Sequence, residues 1–537
     1  MNLVQDPWLL FKVKQPDGRI SEQELPITAI AKPEVIDFAL PRADFQGAAY
    51  QFAIGLLQTL FAPADKYEWE DLYLQAPSEE QLQQAFDRAA HAFNATGDGP
   101  LFMQDYESLD DVEPVNIDSL LVDAPGDNTL KHNKDLFVKR NRAKRVSVEM
   151  AIWILFTSQI NGPCIGTGYR SGIRKSGPLT TLLMPGEDDS ALWQKLWLNV
   201  LDRNTWIYPE PDLSSFEVFP WLDRTKSDET IYPNMVHPLH VFWAMPQRVR
   251  LYISEEQVDV HCELSTRKSR RGVVEVYRRK NKGNNYDGDW LHSLTPRYWV
   301  PGKSEVTPRP VLANKLSSTY KIWESISFSS SRFGFKCARV VDRYNRIDFE
   351  LVNLPRKPFL WVFGYHMEQG QKKVHGWYSS SFPYFKMNTD FSSVICERTD
   401  QLLSLADSAL TSCVKNVKEA WFKSPLKDKK AKIPKGDFSF VEVSFWQRTQ
   451  LLFFTTVQHL IESDDTYLTP EQARSWLNAL RATAFDLFDE LALSELGSER
   501  SMAKRIKARK ALMKGLHAKP FKDFEAEYRI ESNKEIA

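Results

Sequence analysis

Four segments of this sequence hold residue types that can grip a polyanion or meet the edge of a base. Residues 130–145 place seven Lys or Arg side chains, Lys139, Arg140 and Arg142 among them, around the single aromatic Phe137. Such cations neutralise phosphates and an aromatic among them offers a stacking face; the plain alternative is a solvated loop. Residues 162–172 are rich in glycine, and Gly166, Thr167 and Gly168 lead directly to Arg170. Glycine lets backbone approach a partner closely, so the stretch suits a loop entering a DNA groove, or an ordinary tight turn. Two basic clusters, 267–271 and 278–282, flank the strand candidate Val273 to Tyr277. A hairpin with Arg279, Lys280 and Lys282 at its tip can touch phosphates or base edges; it can also be a charged hairpin that protects a sheet edge. Finally, Glu368, Gln369 and Gly370 sit in a stretch with hairpin-tip composition. A glutamine both donates and accepts, so it can stand in for the lost partner of an unpaired base.

Motifs of catalysis are missing. The chain has no GxxxxGK[ST] phosphate loop, HExxH pair or GxSxG elbow. Its five cysteines lie far apart, so neither a zinc ribbon nor a disulfide framework is expected from neighbours. The ten histidines never fall at ligand spacing. No catalytic residue, metal or cofactor is therefore expected. The rival from another class is a nucleotide-dependent enzyme using Gly166 to Gly172, although that string departs from the dinucleotide fingerprint and follows a helical pattern.

The elements that must position these segments follow from periodicity. At 537 residues the chain is too long for one core. Its net charge is −1, but acids dominate from Asp65 to Asp127 while bases crowd later segments, and separated charge still makes a strong local field. Neither a signal peptide nor a membrane span is evident, so the expected compartment is the cytoplasm. Trp8 to Val13 and a second strand beyond Gln15-Pro16-Asp17-Gly18 predict a hairpin. Helices are predicted over about 45–61 and 147–160. Strands are predicted at Val249–Ile253, Val273–Tyr277, Cys337–Val341 and Leu360–Tyr365. After about residue 388 only helical patterns remain. One carries Leu402, Ala406, Cys413 and Val417, and a second runs from Phe438 to Ile461. A third starts at the capping box Thr469-Pro470-Glu471-Gln472, and a fourth (498–516) turns Met502, Ile506, Met513 and Leu516 inward. The expected fold class is α+β: a large mixed α/β N-terminal domain (1–387) followed by a C-terminal four-helix bundle (388–537).

Ordered motifs along the chain resemble one family. Met1-Asn2-Leu3 with Trp8, Leu40-Pro41-Arg42-Ala43-Asp44 and Pro100-Leu101-Phe102-Met103-Gln104 are similar to the CasA family, the large subunit of the type I-E CRISPR Cascade complex. The most specific piece is Gly168-Tyr169-Arg170-Ser171-Gly172-Ile173-Arg174 followed by Thr180-Thr181. The resemblance implies a subunit of a crRNA-guided complex that binds double-stranded DNA and recognises the protospacer-adjacent motif. It then helps open the duplex for R-loop formation and recruits the helicase-nuclease, in antiviral defence. Its implied partners are the crRNA-bound backbone and small subunits, target DNA with its displaced strand, and that helicase-nuclease. Carried over by position, the glycine loop is Gly166, Thr167, Gly168 and Arg170, and the lysine finger is Lys280, Lys282 and Arg279. The glutamine wedge is Gln369 with Glu368 and Gly370, and the mobile loop is Phe137, Lys139, Arg140 and Arg142. Cys164, Ile165 and Thr167 interrupt the family's glycine run, so the motif preference is expected to differ. Residues 146–150 and 262–267 lack the CxxC pairs some members use for zinc. A sequence-indifferent basic scaffold is the alternative within nucleic-acid binding.

Overall fold

The computed structural model describes residues 1–125, 131–132, 143–163, 168–186, 190–254, 260–265, 267–269, 272–302, 307–347, 358–367, 374–386, 392–422, 437–463, 466–493 and 499–530. They form two compact units, Met1–Asn314 with Ser331–Ser381, and Lys315–Ser330 with Phe382–Ala537. The class is α+β, as expected.

In the first unit, an apolar run near the start of the chain makes β1 (Leu9–Lys14), which pairs antiparallel with β2 (Ile20–Leu25) and with β3 (Val35–Phe38). Helix α1 (Ala43–Leu60) is apolar on nearly every side and almost wholly buried, which makes it a core helix rather than a surface one. Against it packs α2 (Val148–Asn161), the same kind of helix, capped by Ser147 and ended by Gly162 in the left-handed conformation. Phe52 of α1 meets Trp153 and Phe156 of α2 edge-on, with ring centroids 5.9 and 5.7 Å apart. Trp8, Phe93, Phe102, Trp221 and Trp243 extend this ring-filled core, and each such pair adds about 0.5–1.5 kcal/mol beyond its buried area.

Two sheets flank the helices. In the first, β4 (Arg248–Ile253) and β5 (Val273–Lys280) run antiparallel, with Arg278 opposite Arg250 and Lys280 opposite Arg248. In the second, β6 (Thr180–Met184) pairs antiparallel with β7 (Phe359–Met367), whose other neighbour is β8 (Val374–Pro383). One expected strand is a helix. Residues Cys337–Val341 lead into α3 (Arg339–Arg346), where Val340, Val341 and Tyr344 are buried at helical spacing. Arg343 there donates to Asp202 at 2.8 Å while stacking on Trp69. Tertiary contacts override the β preference of two adjacent valines.

In the second unit, α4 (Ser392–Trp421), α5 (Ser439–Glu462), α6 (Pro470–Ala492) and α7 (Glu499–Gly515) pack as a bundle, and α8 (Lys519–Glu527) follows. The capping box forms as read: Thr469 Oγ1 accepts from the Gln472 amide, and the Gln472 side chain accepts from the Thr469 amide. The inward face of α7 differs from expectation. Leu516, just past its end, is buried as expected, but the stripe that leads to it at i, i+4 spacing is Ala508 and Leu512, whereas Ile506 and Met513 are exposed.

Candidate nucleic-acid interface

Helix α2 and strand β5 set the frame. Val146 and Ser147, just before α2, pair with Val274 and Val273 at the start of β5. At the other end of α2, Ser158 Oγ accepts from the Arg279 guanidinium at 3.3 Å. A 14-residue helix is about 21 Å long, so the basic segment that precedes α2 and the glycine segment that follows it leave from opposite ends of one rigid unit.

The glycine segment then meets the basic strand. The carbonyl of Gly168 accepts from the Lys282 amide at 2.8 Å. Gly168 has φ +85°, and a methyl group there would stand 3.1 Å from the Asn281 side-chain nitrogen. Lys282 also has positive φ, +58°, a conformation uncommon for a residue with a side chain and frequent at working sites. Lys282 is exposed and makes no ion pair among the described residues. Lys280 is half-buried, with its ammonium 2.6 Å from Asp111. Arg279 points the other way: it is 7% exposed, lies over the Tyr277 ring and braces β5 against α2. It supports β5 from inside rather than presenting a charge at the surface. Arg170 is half-buried, with its Nε buried and lacking an acceptor among the described residues.

Further along, the same segment meets the strand that leads to the glutamine stretch. At Gly177, φ is +68° and a Cβ would lie 2.2 Å from the Tyr365 carbonyl oxygen and 3.1 Å from the Met367 side chain. Only glycine fits so tight a crossing. Strand β7 is held from below. Tyr365 donates its hydroxyl to Asp44 at 2.5 Å, and Asp44 also pairs with Arg42, 2.9 Å away. Burial, then the neighbouring Asp44, holds the Tyr365 hydroxyl well above its ordinary pKa, so it stays a donor. Across the hairpin, Tyr365 and Phe363 pack on Trp377, and His366 stacks on His375. Arg174 anchors the segment to α1 and β6, donating to Gln51 at 2.7 Å and to Thr180 and Thr295 at 3.2 Å. Burial pushes its guanidinium down to about 9, leaving it charged at neutral pH.

The segment after α2 thus touches the end of the basic strand β5 at Gly168 and strand β7, which leads toward residues 368–370, at Gly177. Gly166, Thr167, the wedge residues Glu368, Gln369 and Gly370, and the loop residues Phe137, Lys139, Arg140 and Arg142 lie outside the described residues. Sequence reasoning missed Asn281, which packs on Gly168, and the partners of the basic strand. Arg248 pairs with Asp105 and Glu107 (both 2.6 Å), and Arg278 pairs with Asp110 (2.7 Å). The available signal was the acid-rich stretch itself, read only as a charge imbalance. Among the described residues no group of three or more His, Cys, Asp or Glu side chains is placed to hold a metal ion, and no helix is long and apolar enough to cross a membrane.

A profile of the family described as CRISPR-associated protein Cse1 matches residues 2–487. Among solved structures, Cse1 from Acidimicrobium ferrooxidans is similar at 15% identity, covering 98% of this chain and 99% of that one, with a TM-score of 0.65. CasA from Thermus thermophilus is similar at 13% identity, covering 96% of this chain and 99% of that one, with a TM-score of 0.66. A chain of a CRISPR RNA-guided surveillance complex gives 14% identity, 96% and 99% coverage, and a TM-score of 0.63. At such identities the structural likeness shows the fold. Nothing among the curated proteins matches.

Proposed function

Because the chain belongs to the CRISPR-associated protein Cse1 family, we propose that it is the large subunit of a type I-E Cascade complex, reading the protospacer-adjacent motif and starting duplex opening rather than catalysing a reaction. The observation that carries this reading is the convergence on one glycine segment: Gly168 against Asn281 and Lys282, and Gly177 against Tyr365 and Met367. A loop without side-chain bulk, a protruding lysine and a hairpin able to carry a glutamine tip are the parts needed to enter a groove, hold phosphates and replace a broken pair. Lys282 and then Lys280 contact the duplex beside the motif; Gly166, Thr167, Gly168 and Arg170 line its approach; Gln369, between Glu368 and Gly370, splits the first base step.

The energetics are consistent. Stacking in DNA averages about 1.4 kcal/mol per step, and RNA–DNA pairing afterwards nearly balances what was lost. The protein therefore has to supply only the first two or three steps, about 3–4 kcal/mol. Two hydrogen bonds to charged groups at about 1.5–3 kcal/mol each cover that range. Phe137 with Lys139, Arg140 and Arg142 holds the guide-bearing subunits and the entering DNA. On the bundle, the exposed Lys507, Lys510 and Lys514 of α7 guide the displaced strand, and the helicase-nuclease docks on this subunit after opening.

The test is binding of a guide-matched duplex with a randomised flanking trinucleotide, by the complex assembled with and without this chain. Flank-dependent binding that requires the chain is expected. Binding indifferent to the flank would leave only a basic scaffold.

A further inference from the structure

The cation at the centre of the finger is already occupied. Lys280 sits 2.6 Å from Asp111, and two residues back on the same face Arg278 sits 2.7 Å from Asp110 while stacking over Tyr252. These pairs differ in kind from the neighbouring one. Asp105 is fully buried and Arg248 is 11% exposed, so that pair is part of the fold. The Asp110 and Asp111 side chains are 72% and 65% exposed, so water and a competing anion reach them freely. Their placement is enforced from behind. Leu109 is buried yet holds φ +56°, a conformation that costs a bulky residue energy and persists only where surroundings impose it. Tyr252 donates to both the Ser108 carbonyl (2.8 Å) and Asp110 (3.2 Å), fixing the turn on the strand.

We propose that Asp111, with Asp110 beside it, is a specificity-determining residue: it occupies Lys280 in the free subunit and must be displaced by a DNA phosphate before the finger engages. This rests on the reading of Lys280 as a DNA contact. The exchange swaps one exposed ion pair for another, so it yields little net energy on an arbitrary backbone. It becomes favourable only where the groove also admits Lys282 and the glycine segment. A carboxylate that suppresses wrong partners by occupying the cation is discrimination against the alternative, not stronger binding to the target. The structure also orders the two lysines. Lys282, unpaired among the described residues, makes first contact, and Lys280 follows on release.

The experiment uses the assembled guide-loaded complex with fluorescent duplexes that either match the guide or do not, over a salt series. Asp111→Asn is expected to tighten binding to unmatched duplex about two- to fivefold, the range open to an exposed pair. It steepens the salt dependence by up to about one unit of log–log slope and weakens discrimination among flanks. Asp111→Glu, which keeps the charge, restores wild-type behaviour. In a Lys280→Ala background Asp111→Asn has no further effect. If Lys280→Ala weakens binding but Asp111→Asn changes nothing, the competition is refuted and the finger reading stands. If Asp111→Asn acts equally with and without Lys280, it is a general charge effect and the proposal fails. If Lys280→Ala itself is silent, the finger reading falls and the inference with it.

Discussion

Alanine at Gly177 and at Gly172 should have opposite outcomes, although both glycines lie in the segment that touches β5 at Gly168 and β7 at Gly177. At Gly177 the backbone is left-handed, and a Cβ would overlap the Tyr365 carbonyl oxygen at 2.2 Å. The left-handed conformation costs an L-residue about 1–2 kcal/mol, and the overlap is with backbone, which cannot rotate away. Forcing β7 aside adds about 1–3 kcal/mol of overpacking, so the total is about 2–5 kcal/mol. At Gly172 the nearest atom to a Cβ is the Lys175 carbonyl oxygen at 3.5 Å, ordinary contact, and its φ lies outside the left-handed region. There alanine restricts the unfolded chain and is neutral or stabilising by up to about 1 kcal/mol. Thermal melting of the full chain reads the difference. At about 2 °C per kcal/mol for a large unit, Gly177→Ala should melt lower by about 4–10 °C and Gly172→Ala within about 2 °C of the parent. Strand opening, followed by a fluorescent base beside the motif on linear DNA, should fall further than affinity in Gly177→Ala, because the displaced element is the strand leading to Gln369. Equal destabilisation by the two alanines would refute the close crossing of Gly177 and Tyr365.

Three further expectations follow from the same physics. Burial, with Asp400 adding to it, pushes Glu324 up from 4.5 to about 8. The folded state therefore holds that proton more tightly than the unfolded chain, and the stability it contributes is full below about 4.5 and lost as pH rises through about 8; Glu324→Gln should flatten that decline in melting temperature between pH 5 and 8. Asp202→Ala leaves Arg343, nearly buried against Trp69, without its carboxylate and should cost about 3–5 kcal/mol in denaturant unfolding, with Arg343→Met in the same chain recovering much of it. Arg279→Met should lower melting temperature with little change in the salt dependence of DNA binding, whereas Lys280→Met should leave melting near the parent and reduce the log–log salt slope by about 0.9.

What the sequence made legible was whatever had a period or a punctuation mark. Phe52, Leu56 and Leu60 recur at helical spacing and α1 runs from Ala43 to Leu60; Thr469, Pro470 and Gln472 announce a helix start, and α6 starts there. Errors fell where the pattern was short. Val340 and Val341 favour a strand in isolation, but Arg343 reaches Asp202 only from a helix. In α7 several apolar stripes end at Leu516, which is buried as expected, and packing selected Ala508 and Leu512 over Ile506 and Met513. The interface was readable as separate pieces and not as a place. No local rule brings Gly168 to Asn281 across more than a hundred residues, or Gly177 to Tyr365. The inward turn of Arg279 follows from strand alternation once Lys280 is taken as outward, so that part could have been found.

A net charge of −1 is compatible with the proposed nucleic-acid partner once the placement of the charges is considered. Alternation along β4 and β5 puts Arg248, Arg250, Arg278 and Lys280 on one face, with like charges directly opposite each other, an arrangement that destabilises a sheet. Asp105, Glu107, Asp110 and Asp111 lie on that face and pair with Arg248, Arg278 and Lys280, while Arg250 donates to the Asp105 carbonyl at 2.9 Å. Four acids thus pair with three of the four bases, Arg248 taking two of them, and the pairing stops two residues later. Lys282 stands beyond the last pair, beside Gly168, with no carboxylate partner among the described residues. On the proposed function, attraction to DNA at this place comes from one protruding cation and from pairs that can exchange, not from a broad basic field. Such a surface binds arbitrary DNA weakly, with a shallow salt dependence, and leaves recognition to whether the groove admits the glycine segment. If the proposed duplex reading holds, wrong duplexes must be released quickly, and near-neutrality is then the expected composition rather than an objection.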